Sequence, residues 1–111
     1  MDKRVVSGVE IEASSGNVFA DLGLPDADKL LIKSELTIEI TKAIRTQGLT
    51  QAEAARRMGL TQPKVSSLLR GEFSNFSERK LMDCLNRLGY DIEIRVKKTA
   101  GAAGHLMLTH T

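Results

Sequence analysis

Gln62, Pro63, Lys64, Ser66 and Ser67 crowd into six positions of a 111-residue chain. None of them is a nucleophile with a base beside it. Together they offer an amide, an ammonium and two hydroxyls, all able to donate hydrogen bonds and most able to accept them. Such groups suit non-covalent recognition of a polar surface, and the edges of base pairs in a major groove are one surface of that kind. A pair of helices that served only as core would have little use for them.

The elements that must hold these residues are short and sharply bounded. Thr50 has the spacing of a capping box with Glu53 and begins a helix whose slim apolar face is Ala52, Ala55 and Met58. Gly59 stops it, Thr61 caps the next helix, and Gly71 ends that one. Ala54, Ala55, Leu60, Val65 and Leu68 fall at inward offsets. The small alanines let two helices cross closely. A capped helix, a tight glycine turn and a second helix make the helix-turn-helix pattern, in which the first element props the amino end of the second outward.

Upstream, nothing interrupts a helix between Asp26 and about Gln47. Asp26 and Asp28 stand at its start and Gly48 at its stop. Its apolar residues form two stripes, Leu30, Leu31 and Ile38 against Leu36, Ile40, Ala43 and Ile44. The second stripe adjoins the short helices. The first needs another cover, either the Phe19, Leu22 and Leu24 stretch or a second subunit. Downstream, Phe73 and Phe76 are expected to plug the core. Ser77 caps a fourth helix carrying Leu81, Cys84, Leu85 and Leu88, and Gly89 ends it. Residues 90–97 alternate strictly, with Ile92, Ile94 and Val96 on one face, which predicts a strand. Residues 4–13 alternate weakly and are interrupted by Gly8. A lone strand needs a partner: residues 4–13, the tail, or the same strand of a second copy.

Charge is unevenly spread. Residues 1–41 carry four basic and eight acidic side chains, whereas residues 42–70 carry six basic residues against Glu53 alone. The basic excess sits on the two short helices and the turn before them, which suggests a polyanionic partner for the middle of the chain and a different one for its start. A hydrophobic content of 41% and a charged content of 27% fit a folded domain. No apolar run approaches the roughly 18–20 residues of a membrane span, and no secretion signal is visible. A single cysteine allows no internal disulfide, so a cytoplasmic setting and no membrane partner are expected.

Other chemistry finds little support. Cys84 lies on an apolar stripe and reads as a packing thiol. His105 and His110 have no ligand cluster beside them, Glu10 and Glu12 are isolated, and no glycine-rich phosphate loop follows a strand. The chain is not expected to be an enzyme, nor to hold a cofactor or metal.

The run LTQAEAARRMGLTQPKVSSLLRG resembles the helix-turn-helix of the Cro/phage-repressor (XRE) superfamily. With SSGNVFADLGL before the first helix and FS…L…LNRLGYDIEI after the last, residues 14–98 are similar to antitoxins of the HigA type. The resemblance implies a mainly α fold: a lambda-repressor-like bundle of four to five helices with a C-terminal β-strand. On this reading residues 1–24 form an N-terminal arm, 25–98 the helix-turn-helix domain with its strand, and 99–111 a flexible tail. It implies a homodimer that binds operator DNA, represses its own promoter, and neutralises a RelE/HigB-like toxin. A stand-alone regulator without a toxin is the alternative, and a protein-interaction module that has lost DNA is a third reading. By the family's pattern Gln51 touches a phosphate, while Gln62, Lys64 and Ser67 face bases. Pro63 departs from the phage repressors, where a polar reader often stands. It offers no hydrogen bond, only a ring for a thymine methyl. Further phosphate contacts are expected from Lys42 or Arg45, Arg56, Arg70, Arg79 and Lys80, each with a solvated helix face as its alternative.

Overall fold

The computed structural model describes residues 4–6, 9–11, 22–23 and 26–109. In chain order these give β1 (Arg4–Val6), β2 (Val9–Ile11), α1 (Ala27–Thr46), α2 (Gln51–Met58), α3 (Gln62–Leu69) and α4 (Glu78–Arg87). The stretch expected as one strand is a pair: β1 runs antiparallel to β2 with Arg4 opposite Ile11 and Val6 opposite Val9.

The helices begin and end where their local chemistry dictates. Thr50 Oγ1 accepts the Glu53 N–H at 3.1 Å while Glu53 Oε1 accepts the Thr50 N–H at 2.8 Å, so both halves of the capping box of α2 are closed. Thr61 and Ser77 cap α3 and α4 through the N–H groups of Lys64 and Lys80. Pro63 occupies the first turn of α3, where a missing N–H costs little. Gly59 closes α2 at φ 70°, and a Cβ built there would sit 3.2 Å from an Arg87 guanidinium nitrogen. The start of α1 differs from expectation. Asp26 adopts a left-handed conformation (φ 54°) with no side-chain cap, whereas Asp28 in the first turn accepts the Leu106 N–H at 3.3 Å.

The core is the second stripe of α1 laid on the other three helices. Leu36, Ile40, Ala43 and Ile44 pack with Ala54, Ala55 and Met58 of α2, Val65 and Leu68 of α3, and Leu81, Cys84 and Leu85 of α4. Phe76 and Leu88 close it, and Phe73 and Leu60 lie half-buried against it. Aliphatic burial at about 1.5–3 kcal/mol per large side chain drives the assembly. Gln47 adds a polar joint among three helix ends: its amide donates to the Leu88 carbonyl at 2.9 Å, and its carbonyl accepts from Arg57 at 2.7 Å. Of the first stripe, Leu31 is buried while Leu30 and Ile38 remain half-buried. Of the cover expected for it, Phe19 and Leu24 lie outside the described residues, and Leu22 is exposed.

One expectation fails within the single chain. Residues 90–98 form no strand and make no ladder with any described residue. Ile92 is half-buried against the core, but Ile94 and Val96 are 77% and 92% exposed. Alternation supplies one apolar face; it cannot supply the neighbouring strand that a ladder requires. Four helices are present among the described residues, and none of them is long and apolar enough to cross a membrane.

Candidate nucleic-acid interface

Ala54 and Val65, both fully buried, mark where α2 and α3 cross. Met58 from α2 and Leu68 from α3 are likewise inaccessible, so the corner is closed by side chains with no room to slide. This rigid pair fixes the direction of α3's amino end. Gln62, Pro63 and Lys64 are exposed there, while Ser66 and Ser67, one turn on, are half-buried. The five sequence-expected base readers therefore share one short helix, and three of them stand clear of the rest of the chain.

Arg70 is tied to this surface. At the carboxyl cap of α3 its guanidinium donates to Ser66 Oγ at 2.7 Å and reaches Ser67 Oγ at 3.5 Å. It also meets the Glu72 carboxylate twice, at 3.1 Å and 3.3 Å. The hydrogen bond and charge of Glu72 push the Arg70 pKa further up, and Arg70 in turn holds the Glu72 carboxyl below the usual carboxylate range. Lys64 and Ser67 share a shallow cleft with Glu72, Ser74, Asn75 and Phe76. Glu72, Ser74 and Asn75 escaped the sequence reading. The Arg-Gly-Glu spelling was the available signal, since a glycine turn brings residues two apart back together.

The remaining candidates are spread around the helix ends. Gln51 and Arg56 are exposed on α2, and Arg45 is exposed in the last turn of α1. Lys42, the alternative to Arg45, is 3.6 Å from Glu39. Arg79 and Lys80 lie in the first turn of α4. Lys80 is 3.8 Å from Asp83, and Arg79 lines a second groove with Met82, Asp83, Asn86, Ile92 and Ile94. The structure thus gathers Arg79 with the C-terminal segment, whereas Arg70 belongs with the serines of α3.

Side chains set aside on sequence grounds also have definite places. Cys84 is fully buried, and that burial pushes its thiol pKa up, away from a reactive thiolate. His105 Nδ1 lies 3.3 Å from Asp28 Oδ2. Among the described residues no three His, Cys, Asp or Glu side chains converge as a metal site would require.

Comparison with known proteins gives a consistent picture. The family described as a helix-turn-helix domain matches residues 18–97. A solved protein whose name places it in the XRE family of transcriptional regulators is similar in structure, with a TM-score of 0.69 and 34% sequence identity. The likeness covers 78% of this chain and 98% of that one. No curated protein matches.

Proposed function

The chain belongs to the helix-turn-helix domain family, of XRE type, and on that premise we propose that it is a dimeric, sequence-specific DNA-binding repressor that also acts as the antitoxin of a type II toxin–antitoxin module. One observation carries the DNA reading: Gln62 and Lys64 stand exposed at the capped amino end of α3, on a corner locked by the buried Ala54, Met58, Val65 and Leu68. A major groove admits a helix end of this kind, and amide and ammonium groups there meet base edges. Ser66 and Ser67, steadied by Arg70, extend the reading surface. Pro63 contributes a ring contact. Gln51, Arg45, Arg56, Arg79 and Lys80 would set register on phosphates, which carry no sequence information.

The experiment is a gel shift on the DNA upstream of the gene, against random duplex of equal length. Binding to the upstream DNA at tenfold lower protein, or better, is expected. Equal binding to both rejects sequence-specific repression.

The antitoxin role is supported by the sequence likeness across residues 14–98 and by the charge contrast between the acidic first 41 residues and the basic middle. A small basic toxin would meet the acidic part while operator DNA meets α3. Co-expression with a small basic protein encoded beside the gene should restore growth, and deletion of residues 1–24 should abolish the rescue while sparing DNA binding. Absence of rescue by the full chain would leave a stand-alone repressor in a cytoplasmic setting.

A further inference from the structure

Among the described residues, the two most exposed large hydrophobic side chains both lie in the segment after α4. Ile92 is half-buried against the core, yet the next two residues of the same face, Ile94 and Val96, are almost fully exposed. Tyr90 and the groove formed by Met82, Asn86, Ile92 and Ile94 continue that apolar surface onto α4. Neither internal candidate, residues 4–13 nor the tail, pairs with this segment among the described residues. β1 and β2 pair with each other. In the tail, the Leu106 N–H is bonded to Asp28 and Leu108 packs against the core.

We propose that residues 91–97 pair with the same residues of a second copy, antiparallel, in the register that places Ile94 opposite Ile94 on the two-fold axis. The argument is the charge pattern of the segment, Asp91-Ile-Glu-Ile-Arg-Val-Lys97. In that register Asp91 faces Lys97 and Glu93 faces Arg95, and symmetry repeats each pair, so four opposite-charge pairs form on one face of the ribbon. Ile92 faces Val96 and Ile94 faces itself on the other. Sliding by two residues in one direction sets Arg95 against Arg95. Sliding by two in the other sets Glu93 against Glu93. A slip of one residue turns the isoleucines of one copy toward the charged face of the other. Like charges directly opposite one another destabilise a ladder and unlike charges support it. This register pairs every charge with its opposite, whereas each two-residue slide keeps two opposite-charge pairs but adds a like-charge pair on the axis. A two-fold axis makes such a contact isologous, and the dimer closes with no free copy of the edge. The inference rests on the dimeric reading above and supplies its contact.

Charge reversal tests the register directly. Sedimentation equilibrium of the full chain should give twice the 12.1 kDa of one copy. Glu93→Arg and Arg95→Glu should each weaken the dimer about ten- to a hundredfold, because each turns both Glu93–Arg95 pairs into like-charge pairs. The double variant restores both pairs in exchanged positions and should return the dissociation constant to within about threefold of wild type. Ile94→Cys should yield a covalent dimer on mild oxidation, sensitive to reductant, whereas Val96→Cys should not, since its opposite residue is Ile92. A monomeric wild-type chain, a double variant as weak as the singles, or equal cross-linking at both cysteines would overturn the pairing. Helical circular dichroism of each variant separates lost pairing from lost folding. If the register fails while the upstream DNA is still bound specifically, the repressor reading stands and the copies meet elsewhere. If the register holds and specific DNA binding fails, the reverse is true.

Discussion

Arg70 and Glu72 clasp each other around Gly71, with Nη2 to Oε1 at 3.1 Å and Nε to Oε2 at 3.3 Å, while the same guanidinium holds Ser66 Oγ at 2.7 Å. Gly71 makes this possible by turning the chain at φ 80°. A cation expected to serve a phosphate is therefore shared among a carboxylate and two hydroxyls in the free protein. Because the pair is exposed, its own contribution to stability is small. Its importance lies in where it points the serines and in the negative charge it places beside α3.

Neutralising that carboxylate should free Arg70 for the DNA backbone. Glu72→Gln is expected to tighten binding to random duplex and to steepen the salt dependence by about one phosphate per protomer. One added contact means roughly a three- to fourfold greater loss of affinity between about 50 and 200 mM salt. The measurement is a gel-shift or anisotropy titration across that range. Parallel salt lines for variant and wild type would show that Arg70 stays with the serines.

The corner beneath the reading surface tolerates little added volume. Ala54 is fully buried where α2 meets α3 and packs in one cluster with Val65 and Leu68. Ala54→Leu should cost about 1–3 kcal/mol through overpacking. For a domain of this size that lowers the melting temperature by roughly 4–8 °C per kcal/mol. Calorimetry checks the stability, and a gel shift on the upstream DNA should show a matching loss of specific binding as the helices splay. A variant as stable as wild type would mean that the crossing is looser than its burial indicates.

What was readable in the sequence divides along the range of the interactions involved. The capping box of Thr50 and Glu53, the caps at Thr61 and Ser77 and the stop at Gly59 depend on residues within four positions, and each was legible. So was the inward set Ala54, Ala55, Val65 and Leu68, because helical spacing alone puts them on one side. The Arg70–Glu72 clasp depended on the hand of a glycine turn. Gln47 bridging Arg57 and the Leu88 carbonyl links groups up to 41 residues apart, which no local pattern encodes. Residues 90–97 show the converse. Their alternation was plain, but a ladder is a property of two strands, and a single chain contains no partner for them among its described residues.

Acid should loosen the start of α2 in a defined direction. The Glu53 carboxyl is held below its ordinary value of 4.5, chiefly by the Thr50 backbone N–H and then by the Thr50 side chain. A lowered folded-state pKa stabilises the fold above the unfolded value, and that stabilisation is lost as pH falls through the folded value. The stability difference between wild type and Glu53→Gln should therefore be constant from about pH 7 to pH 5 and shrink below about pH 4.5. Thermal melts of both proteins across that range provide the check. A difference that grows on acidification would mean that the ionised carboxylate of Glu53 is not the group that stabilises the start of α2.

The reading surface itself predicts a split between two kinds of affinity. Gln62 and Lys64 are exposed and, apart from the cap to the Lys64 backbone, are not tied to other groups by a hydrogen bond or ion pair among the described residues. Their removal should leave the fold intact. Gln62→Ala and Lys64→Ala are each expected to cost about 1–3 kcal/mol on the preferred site, which is the worth of a good base contact. On random duplex Gln62→Ala should change almost nothing, because an amide carries no charge for a phosphate. Lys64→Ala should lose only the modest amount that one cation contributes. Arg56→Ala should show the opposite signature, a uniform loss on both duplexes with a salt slope shallower by about one. Titrating all three variants against both duplexes separates readers from positioners. Equal losses for Gln62→Ala on preferred and random DNA would remove the amino end of α3 from base recognition.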